Sequence, residues 1–346
     1  MSYDVSKYVN EFHDECVFMS EASKQTPRSR REANRKRLKI GLIANKDPQL
    51  EMFVVQGSYA MHTMVQSEVE TSDIDDGAVF TRQSLEGPRG GDKTANEAKE
   101  MVLRALSFKD EFNTPPKVRK NCVRVYYNDG FHVDIPVYRT FEEDGRTKKE
   151  IASAGEWKTS DPEDITNWFN VAVTGKSPDK TNGRQLRRIV RLLKHWSKSR
   201  SSWAMPSGFI ISVLAEEIYP HHGWVDRDDQ ALLAVMRGIR NRLLFGDKRV
   251  YRPVEPREEI TNDLSLSRVW NMSDELKGAI DELSKIERFD CDALMALKAL
   301  KSVFFTDFWD KRIKELEDDS GSGNSGKSPA EPKQPVDKRG GTGQYA

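Results

Sequence analysis

Residues 57–80, GSYAMHTMVQSEVETSDIDDGAVF, decide the fold prediction for this chain. The stretch opens on a Gly-Ser pair and ends in an apolar run that begins with three acids, Asp73, Asp75 and Asp76. Acids at the start of a strand are often turn or capping residues, so a structural interpretation stays open for this stretch alone. A functional interpretation requires a further acid that converges on the same place.

A further acid stands in the run FHVDIPVY, residues 131–138. Because side chains alternate between the two faces of a strand, Asp73 and Asp75 share one face, and Asp134 lies opposite the aliphatic side chains of its own run. A carboxylate inside an apolar run is costly unless it faces solvent or a metal. If the two strands are neighbours, three carboxylates converge, and hard cations such as Mg²⁺ prefer such oxygen ligands.

The first half of the chain is predicted to mix helices and strands. Apolar residues at helical spacing predict a helix over 3–24, and a second helix is predicted over 29–45. The runs 122–127 and 131–138 are joined by Asn-Asp-Gly, a strong signal for a β-hairpin. The other predicted elements are strands at 49–57 and 73–80, a Gly-rich loop at 82–96 and a helix at 96–108.

From about residue 160 onward the chain is predicted to be mostly helical. Ser160 and Glu163 form a predicted capping box, with Pro162 near the first turn. The order of the elements predicts N-terminal helices and a sheet over 1–160 and a helical lobe over 161–317. The helices predicted after the capping box lie at about 184–200, 208–219, 228–245, 274–288, 289–302 and 304–317.

The C-terminal segment, residues 318–346, is rich in Gly, Ser, Pro and Lys and has almost no apolar residues. It cannot bury enough surface to order itself, so we predict a disordered tail. The whole chain of 346 residues carries 55 basic and 55 acidic residues. This balance marks no general binder of nucleic acid or membrane, although local patches can still act.

The sequence predicts a cytoplasmic protein. The first residues lack the apolar core of a secretion signal, and no run of about 18 apolar residues predicts a membrane span. The three cysteines, Cys16, Cys122 and Cys291, are far apart and form no CxxC or Cys/His cluster. A disulfide framework or a zinc site is therefore not indicated.

Gly57 and Ser58 fit a phosphate contact, because glycine lets a backbone approach closely and serine adds a hydroxyl and an N–H group. Two divalent ions about 3.5–4 Å apart can lower the pKa of an attacking hydroxyl and neutralise a leaving pyrophosphate. The residues together therefore predict in-line attack on an α-phosphate. Most of the catalysis would come from positioning and charge neutralisation.

The combination of GS, DIDDG and HVDIPVY resembles the nucleotidyltransferase superfamily that includes poly(A) polymerases, oligoadenylate synthetases and cGAS. It is most similar to the cGAS/DncV-like nucleotidyltransferases of bacterial CBASS antiphage systems, a likeness that covers roughly residues 50–310. SDPEDITNWF, residues 160–169, resembles the start of the family's helical lobe, and residues 193–217 resemble its helix-loop-helix. The resemblance implies an α+β fold: a two-lobed, polymerase-beta-like nucleotidyltransferase core with a mixed sheet, a helical C-terminal lobe and a nucleotide cleft between them.

The resemblance implies a role for each residue that matches a family motif. Asp73, Asp75 and Asp134 are the implied catalytic acids and would bind two Mg²⁺ ions, with Mn²⁺ as an alternative. The implied nucleotide-binding residues are Gln56, Gly57, Ser58, Arg124, Lys194 and Ser207, with Gln56 and Arg124 as the weaker candidates.

Two of these residues also have a structural interpretation. Lys194 lies off the centre of an apolar helical stripe, so without the resemblance it reads equally as a surface lysine. Ser207 precedes a helical run and is predicted to be its N-cap. Because a helix N-terminus also binds anions, the capping and phosphate roles of Ser207 can coexist.

The resemblance implies a synthase that makes a cyclic di- or trinucleotide second messenger from NTPs, with ATP and GTP as expected substrates and a cyclic GMP-AMP-like product. Asp134 would help to activate the attacking ribose hydroxyl while Asp73 and Asp75 hold the metals. A linear oligoadenylate synthetase or RNA-tailing enzyme is the first alternative. A catalytically silent nucleotide-binding scaffold is the second.

The resemblance also implies partners. A downstream effector would respond to the cyclic nucleotide, and a ubiquitin-transfer-like partner would conjugate the C-terminus at Ala346. A tail without function is the alternative for the C-terminal segment. The Arg/Lys cluster at 28–39 is either a site for an activating polyanion or a solvated helix face paired with acids.

Histidines and tryptophans carry weaker signals. His132 shares the face of Asp134 and is interpreted as a neighbour of the site rather than a ligand. The pair His221-His222 is interpreted as a surface pair in a loop. The tryptophans Trp157, Trp168, Trp196 and Trp203 are predicted to lie mostly in the core, with stacking on a base as the alternative for one of them.

Overall fold

The computed structural model describes residues 3–66, 73–87, 90–109, 112–181, 183–220 and 227–321. Its helices are α1 Ser6–Phe12, α2 Gln25–Ala44, α3 Gly57–Ala60, α4 Ala95–Leu106, α5 Pro162–Lys176, α6 Gln185–Ser197, α7 Gly208–Ile218, α8 Asp228–Phe245, α9 Asp263–Leu283, α10 Ala293–Phe304 and α11 Asp307–Gly321. Its strands are β1 Met52–Gln56, β2 Asp73–Thr81, β3 Lys117–Val118, β4 Val123–Tyr126, β5 His132–Ile135, β6 Val137–Glu143, β7 Arg146–Ser153 and β8 Glu156–Thr159.

The strands form one mixed sheet around β2. The order is β3-β4-β5-β2-β6-β7-β8, and β1 pairs with β2 as an additional neighbour. β2 runs parallel to β5 and β6 and antiparallel to β1. β5 and β6 correspond to the single predicted run 131–138, which Pro136 interrupts because proline cannot donate to a strand ladder.

The predicted β-hairpin is confirmed. β4 and β5 pair antiparallel, and Val125 lies opposite Val133 in the register. Gly130 of the connecting Asn-Asp-Gly has a φ of +82°, a conformation that glycine adopts without steric cost. β5 of this hairpin pairs with β4 on one side and with β2 on the other.

Two large apolar cores hold the fold. In the first, α2 and α4 pack on the sheet through buried side chains such as Leu38 and Val102 against Ile74 and Val133. The second joins α5–α11, and its largest side chains, Trp196 and Trp309, are almost fully buried. Burial of this kind is the main favourable contribution to folding. The mixed sheet and the helical lobe agree with the predicted α+β class.

The N-terminal helix contributes to the helical core. Val9 and Phe12 of α1 and its N-cap residue Val5 are fully buried and belong to the core formed by α5–α11. The N-terminal segment therefore packs against the helical lobe and not against the sheet that follows it in the chain. The predicted domain boundaries, 1–160 and 161–317, stay a prediction, and α1 is the element that departs from them.

The prediction of a single helix over 3–24 is wrong. α1 ends at Phe12 and a π-helical turn, His13–Val17, follows it. Phe18 then adopts an extended conformation and forms an antiparallel bridge with Val65. Because a residue in a β-bridge has extended backbone angles, it ends the helix. The next helix, α2, starts at Gln25, four residues before the predicted start at 29.

Helix boundaries in the second half differ from the prediction as well. The N-cap of α5 is Asp161, whose side chain accepts from the N–H of Glu163, so the capping box predicted at Ser160 is wrong. α9 begins at Asp263 rather than at 274, because Asn262 and Ser265 form a capping box there. α11 extends through Gly321, into the predicted tail, and residues 322–346 lie outside the described residues.

The four tryptophans considered above lie in or against the two apolar cores. Trp196 is a core side chain, and Trp168 and Trp203 pack against the same core while partly exposed. Trp157 packs against the sheet core and donates a hydrogen bond to the carbonyl of Lys93.

Within the described residues, the helices are too short or too polar to cross a membrane.

Candidate active site

A cleft of about 620 Å³ lies between the sheet and the helical lobe. Its walls come from β1, β2 and β5 on one side and from α6, α7 and the loop before α9 on the other. The predicted site residues that line it are Gln56, Gly57, Ser58, Asp73, Asp75, Asp134, Lys194 and Ser207. The structure therefore brings together residues that lie up to 151 positions apart in the chain (56 to 207).

The three predicted catalytic acids converge because β2 and β5 are parallel neighbours in a fixed register. Asp73 pairs with His132, and Asp75 pairs with Asp134. Since residues two apart on a strand share a face, these four side chains form a two-by-two array on one face of the sheet. One oxygen each of Asp73 and Asp134 and one nitrogen of His132 lie within 4.8 Å of one another.

The acids influence one another's protonation. Burial, followed by the charges of Asp73 and Asp134, raises the pKa of the Asp75 carboxyl to about 7. At Asp73 burial acts in the same direction, but the hydrogen bond and charge of His132 outweigh it and place the pKa below its usual value. The same hydrogen bond raises the pKa of His132.

The donor set fits a divalent cation. Within the described segments, no side chain donates a hydrogen bond to the Asp75 carboxylate or forms an ion pair with it. A carboxylate beside two others and without a cationic partner is unfavourable by itself, and a bound cation would relieve the repulsion. Asp73, Asp75 and Asp134 are thus suited to hold metal.

Asp76, the third acid at the start of β2, has a different task. Asp76 points to the opposite face of β2, where its carboxylate accepts two hydrogen bonds from Arg35 of α2 at 2.6 and 2.7 Å. Burial raises the pKa of Asp76, and Arg35 partly opposes this effect. Asp76 is 2% exposed, so this ion pair ties α2 to the sheet and has no access to the cleft.

Arg124 lies beside the cleft rather than in its lining. Its guanidinium donates to both oxygens of Asp134, at 2.7 Å each, from the neighbouring strand β4. The structure places Arg124 behind Asp134, and nucleotide contact by Arg124, one of the weaker candidates, stays a prediction. The hydrogen bonds with Asp134 raise the pKa of Arg124, and a two-pronged contact of this kind fixes the carboxylate in orientation.

Gly57 is required at its position for two reasons. Its φ is +65°, and a Cβ atom there would lie 2.3 Å from Oδ2 of Asp75. Any larger residue would therefore collide with the Asp75 carboxylate. The preceding residue, Gln56, ends β1 opposite Asp75 and accepts a hydrogen bond from the hydroxyl of Tyr138 at 2.8 Å.

Lys194 is buried, so the interpretation as a surface lysine is wrong. Its ammonium donates to the carbonyl and the hydroxyl of Thr63 at 2.9 and 3.2 Å. Burial, followed by the charge of Lys198, lowers the pKa of Lys194 to about 7. The side chain also passes close to Gly208, where a Cβ would lie 2.6 Å from its Cε.

The predicted N-cap at Ser207 is confirmed. Its side chain accepts from the N–H of Ile210, and the helix α7 that follows points its first turn at the cleft. The free N–H groups of a helix N-terminus attract anions. Lys194 and the start of α7 therefore form the cationic wall opposite the acids.

Sequence reasoning missed a row of basic side chains along α6. Arg187 donates to the carbonyl of residue 61, Arg191 to that of residue 62, and His195 lies 3.0 Å from the carbonyl of residue 66. With Lys194 they bind the segment that follows α3 through successive carbonyls. The signal in the sequence was their spacing, because it places basic residues repeatedly on one face of a helix that is otherwise apolar.

The Arg/Lys cluster at 28–39 is largely engaged within the protein. Arg30 makes a two-pronged contact with Asp129, and Arg31 pairs with Glu32. These pairs favour the interpretation of a helix face paired with acids, and binding of a polyanion stays a prediction. The pair His221-His222 lies outside the described residues.

The comparison with protein families gives a match over residues 51–138. The matching family is described as cyclic GMP-AMP synthase DncV-like, nucleotidyltransferase domain. The matched range includes all three acids, Gly57 and Ser58. The predicted resemblance is confirmed, and with it the prediction that the chain is a nucleotidyltransferase.

Solved structures share the fold over most of the chain. CdnC of E. coli MS115-1, solved with ATP, is 16% identical with a TM-score of 0.66, and the match covers 88% of this chain and 98% of that one. The CD-NTase CdnG of Bradyrhizobium diazoefficiens, solved with GTP, is 15% identical with a TM-score of 0.68, and the match covers 91% of this chain and 98% of that one. The Vibrio cholerae cyclic AMP-GMP synthase DncV is 15% identical with a TM-score of 0.67, and the match covers 88% of this chain and 96% of that one. The likeness confirms the two-lobed α+β fold.

The two acids of β2 are expected to affect stability with opposite signs in metal-free protein. The raised pKa of Asp75 destabilises the fold increasingly between pH 4 and pH 7 and fully above pH 7, because the unfolded carboxyl ionises more easily. Asp75→Asn should therefore raise the free energy of unfolding at pH 8 by about 2–4 kcal/mol, with the gain vanishing near pH 4. Urea denaturation in EDTA at both pH values measures this change.

The matched control is Asp73→Asn. The pKa of Asp73 is lowered in the folded state, so its ionised form contributes stability above the unfolded pKa that is lost as the pH falls through the folded pKa. Asp73→Asn should lower the free energy of unfolding at pH 6, where His132 is protonated and the Asp75 carboxyl, with a pKa of about 7, is mostly neutral. If both variants raise stability at pH 6, the charge distribution described for this array is wrong.

Proposed function

We propose that the protein is a Mg²⁺-dependent synthase that joins NTPs into a cyclic oligonucleotide second messenger. The observation that carries this proposal is a single cleft with three converging carboxylates on one wall and Lys194 with the start of α7 on the other. Such a cleft suits a triphosphate with its metals. The DncV-like nucleotidyltransferase match over residues 51–138 supports this class of activity.

Each part of the cleft then has a task. Asp73, Asp75 and Asp134 would hold the Mg²⁺ ions, which when bound activate the attacking hydroxyl and neutralise charge on the leaving pyrophosphate. Gly57 and Ser58 would contact the donor triphosphate at the end of β1. Asp134, fixed by its two hydrogen bonds from Arg124, would orient the attacking ribose hydroxyl and help to accept its proton.

The cationic wall holds the phosphates in line. The Lys194 ammonium and the N–H groups at the start of α7 face the acids across the cleft, so a triphosphate placed there meets positive charge on one side and metal on the other. After the first transfer the linear product would turn over in the cleft, and a second transfer would close the ring. Positioning of this kind supplies much of the rate of phosphoryl transfer.

A cyclic GMP-AMP-like product made from ATP and GTP in antiphage defence is the specific form of this proposal. CdnC and CdnG were solved with ATP and GTP respectively, and DncV is a cyclic AMP-GMP synthase. A linear oligoadenylate or RNA-tailing enzyme and a catalytically silent scaffold are the competing functions. A cyclic product distinguishes the proposed synthase from a linear polymerising enzyme. Release of pyrophosphate distinguishes it from a catalytically silent scaffold.

Incubation of the purified protein with all four NTPs and Mg²⁺ tests the function directly. We expect a phosphatase-resistant cyclic product in mass spectrometry, absent from an Asp73→Ala/Asp75→Ala control because the control lacks the metal ligands. Linear products alone would make the protein a polymerising enzyme. No product together with intact NTP binding would favour the scaffold.

Lys194 is expected to bind the donor triphosphate. Lys194→Met should raise the Kd of a non-hydrolysable NTP analogue at least about tenfold, because a charge-assisted contact to phosphate is lost. The matched control is Thr63→Val, which removes a hydrogen-bond partner of Lys194 but no charge, and should change Kd by less than about threefold. Equal weakening by both variants would mean that Lys194 acts by holding the Thr63 segment. Fluorescence titration gives both constants.

The conjugating partner and the effector belong to the same proposal. Ala346 lies in the segment 322–346, outside the described residues. Deleting residues 340–346 should leave synthesis of the product in vitro unchanged and abolish priming in cells, because the partner would attach at the C-terminus. Phage-plaque counts compare the two proteins, and full protection by the truncated protein would contradict the idea.

A further inference from the structure

His132 stands within the acid array, although the proposed function gives it no task. It pairs in register with Asp73 across β2 and β5, and it precedes Asp134 by two residues on the same strand face. Its Nε2 lies 3.3 Å from Oδ2 of Asp73, and its side chain is 19% exposed. An imidazole at such a place can either orient an acid or bind metal itself.

We propose that His132 is a metal ligand through Nε2, so that one divalent cation is held by Asp73, His132 and Asp134 and the site selects Mn²⁺ over Mg²⁺. The inference rests on the proposed function, because it concerns the site where that function places Mg²⁺, with Mn²⁺ as the alternative ion. It deepens that function by assigning a ligand of a different chemical class. The carboxylates alone would make the site a purely oxygen-based one.

The distances suit one cation. Ligand atoms on adjacent corners of an octahedron with bonds of about 2.1 Å are about 3 Å apart, and opposite corners are about 4.2 Å apart. The 3.3 Å between Asp73 and His132 fits adjacent corners, and the three ligand atoms lie within 4.8 Å of one another. Small side-chain movements therefore suffice to complete the set.

The contact between Arg124 and Asp134 is compatible with this cation. Each oxygen of Asp134 accepts one hydrogen bond from Arg124. A carboxylate has about four lone-pair positions, so each oxygen keeps one for a metal. Arg124 would then hold Asp134 in place as a ligand, as outer partners of metal ligands commonly do.

The ligand class decides which ion is preferred. Mg²⁺ is a hard ion that keeps oxygen ligands and loses its water reluctantly. First-row transition ions accept imidazole more readily, and Mn²⁺ also suits carboxylates. A set of carboxylate oxygens with one imidazole nitrogen should therefore bind Mn²⁺ better than Mg²⁺. An imidazole that only donates a hydrogen bond to Asp73 would support both ions equally.

Electron spin-echo spectroscopy of Mn²⁺ added to the metal-free full-length protein, without nucleotide, tests the nitrogen ligand directly. We expect a ¹⁴N coupling on the bound Mn²⁺ in the wild-type protein and its loss in His132→Gln. Bound Mn²⁺ without a nitrogen coupling in the wild-type protein would overturn the proposal. This readout needs neither catalysis nor a folded variant.

Affinities of the two ions give a second test. Free Mn²⁺ is titrated by its continuous-wave spectrum, and Mg²⁺ is measured by competition. His132→Gln replaces a nitrogen donor with an amide that can still donate to Asp73, so the preference for Mn²⁺ over Mg²⁺ should fall about tenfold while Mg²⁺ affinity changes by less than about threefold. His62→Gln, at an exposed histidine outside the acid array, should change neither affinity.

The outcomes separate this inference from the proposed function. If His132→Gln weakens both ions equally or changes neither, His132 is not a ligand, while the metal-dependent function stands. If the wild-type protein binds neither Mn²⁺ nor Mg²⁺, with or without NTP, both proposals are wrong. Melting curves identify a His132→Gln protein that does not fold, and the wild-type spectrum then decides alone.

Discussion

Hydrogen bonds from α6 to the segment after Gly57 are the constraint on which the cleft depends. Arg187, Arg191, Lys194 and His195 lie on one side of α6 and contact the main-chain carbonyls of residues 61–63 and 66. Hydrogen bonds from charged donors are worth about 1.5–3 kcal/mol each, more than neutral ones. The helical lobe thereby holds the segment that follows the turn at Gly57. This attachment connects the two walls of the cleft.

The same attachment positions candidate site residues on both sides of the cleft. Gly57 starts the held segment and lies directly above Asp75, with no room for a Cβ between them. Lys194 belongs to the holding helix and lines the cleft at the same time. A shift of α6 would therefore move the turn at Gly57 relative to the acids. Precise positioning of this kind is what phosphoryl transfer requires of a protein.

The sequence predicted the features that depend on local patterns. Strand alternation put Asp73 and Asp75 on one face and Asp134 opposite the aliphatic side chains of its own run, and the Asn-Asp-Gly turn predicted the hairpin. That the two acid-bearing strands are neighbours was a condition of the prediction, which the structure fulfils. The family resemblance added Ser207 and also Lys194, whose partner Thr63 is far away in the chain. Capping chemistry identified Ser207 correctly but chose Ser160 where Asp161 caps α5, because adjacent polar residues compete for that place.

Features that depend on distant pairing were not predictable from one sequence. β7, residues 146–153, is charged and only partly buried, so it lacks the apolar alternation that reveals a strand. The partners of Arg35 and Arg124 depend on the sheet register and on the packing of α2. The basic side chains of α6 look like a solvated face, since their acceptors are carbonyls that carry no side-chain signal.

The charges around the acids indicate where an additional cation belongs. Asp76 is paired with Arg35, Asp134 with Arg124, and Asp73 with His132, which is charged only when protonated. Within the described part of the chain no such partner reaches Asp75, which lies between Asp73 and the turn at Gly57. A cationic side chain beside Asp75 as well would make the protein more stable but would compete with a metal at this carboxylate. The protein therefore leaves unneutralised the acid beside which the triphosphate and its metals are proposed to bind.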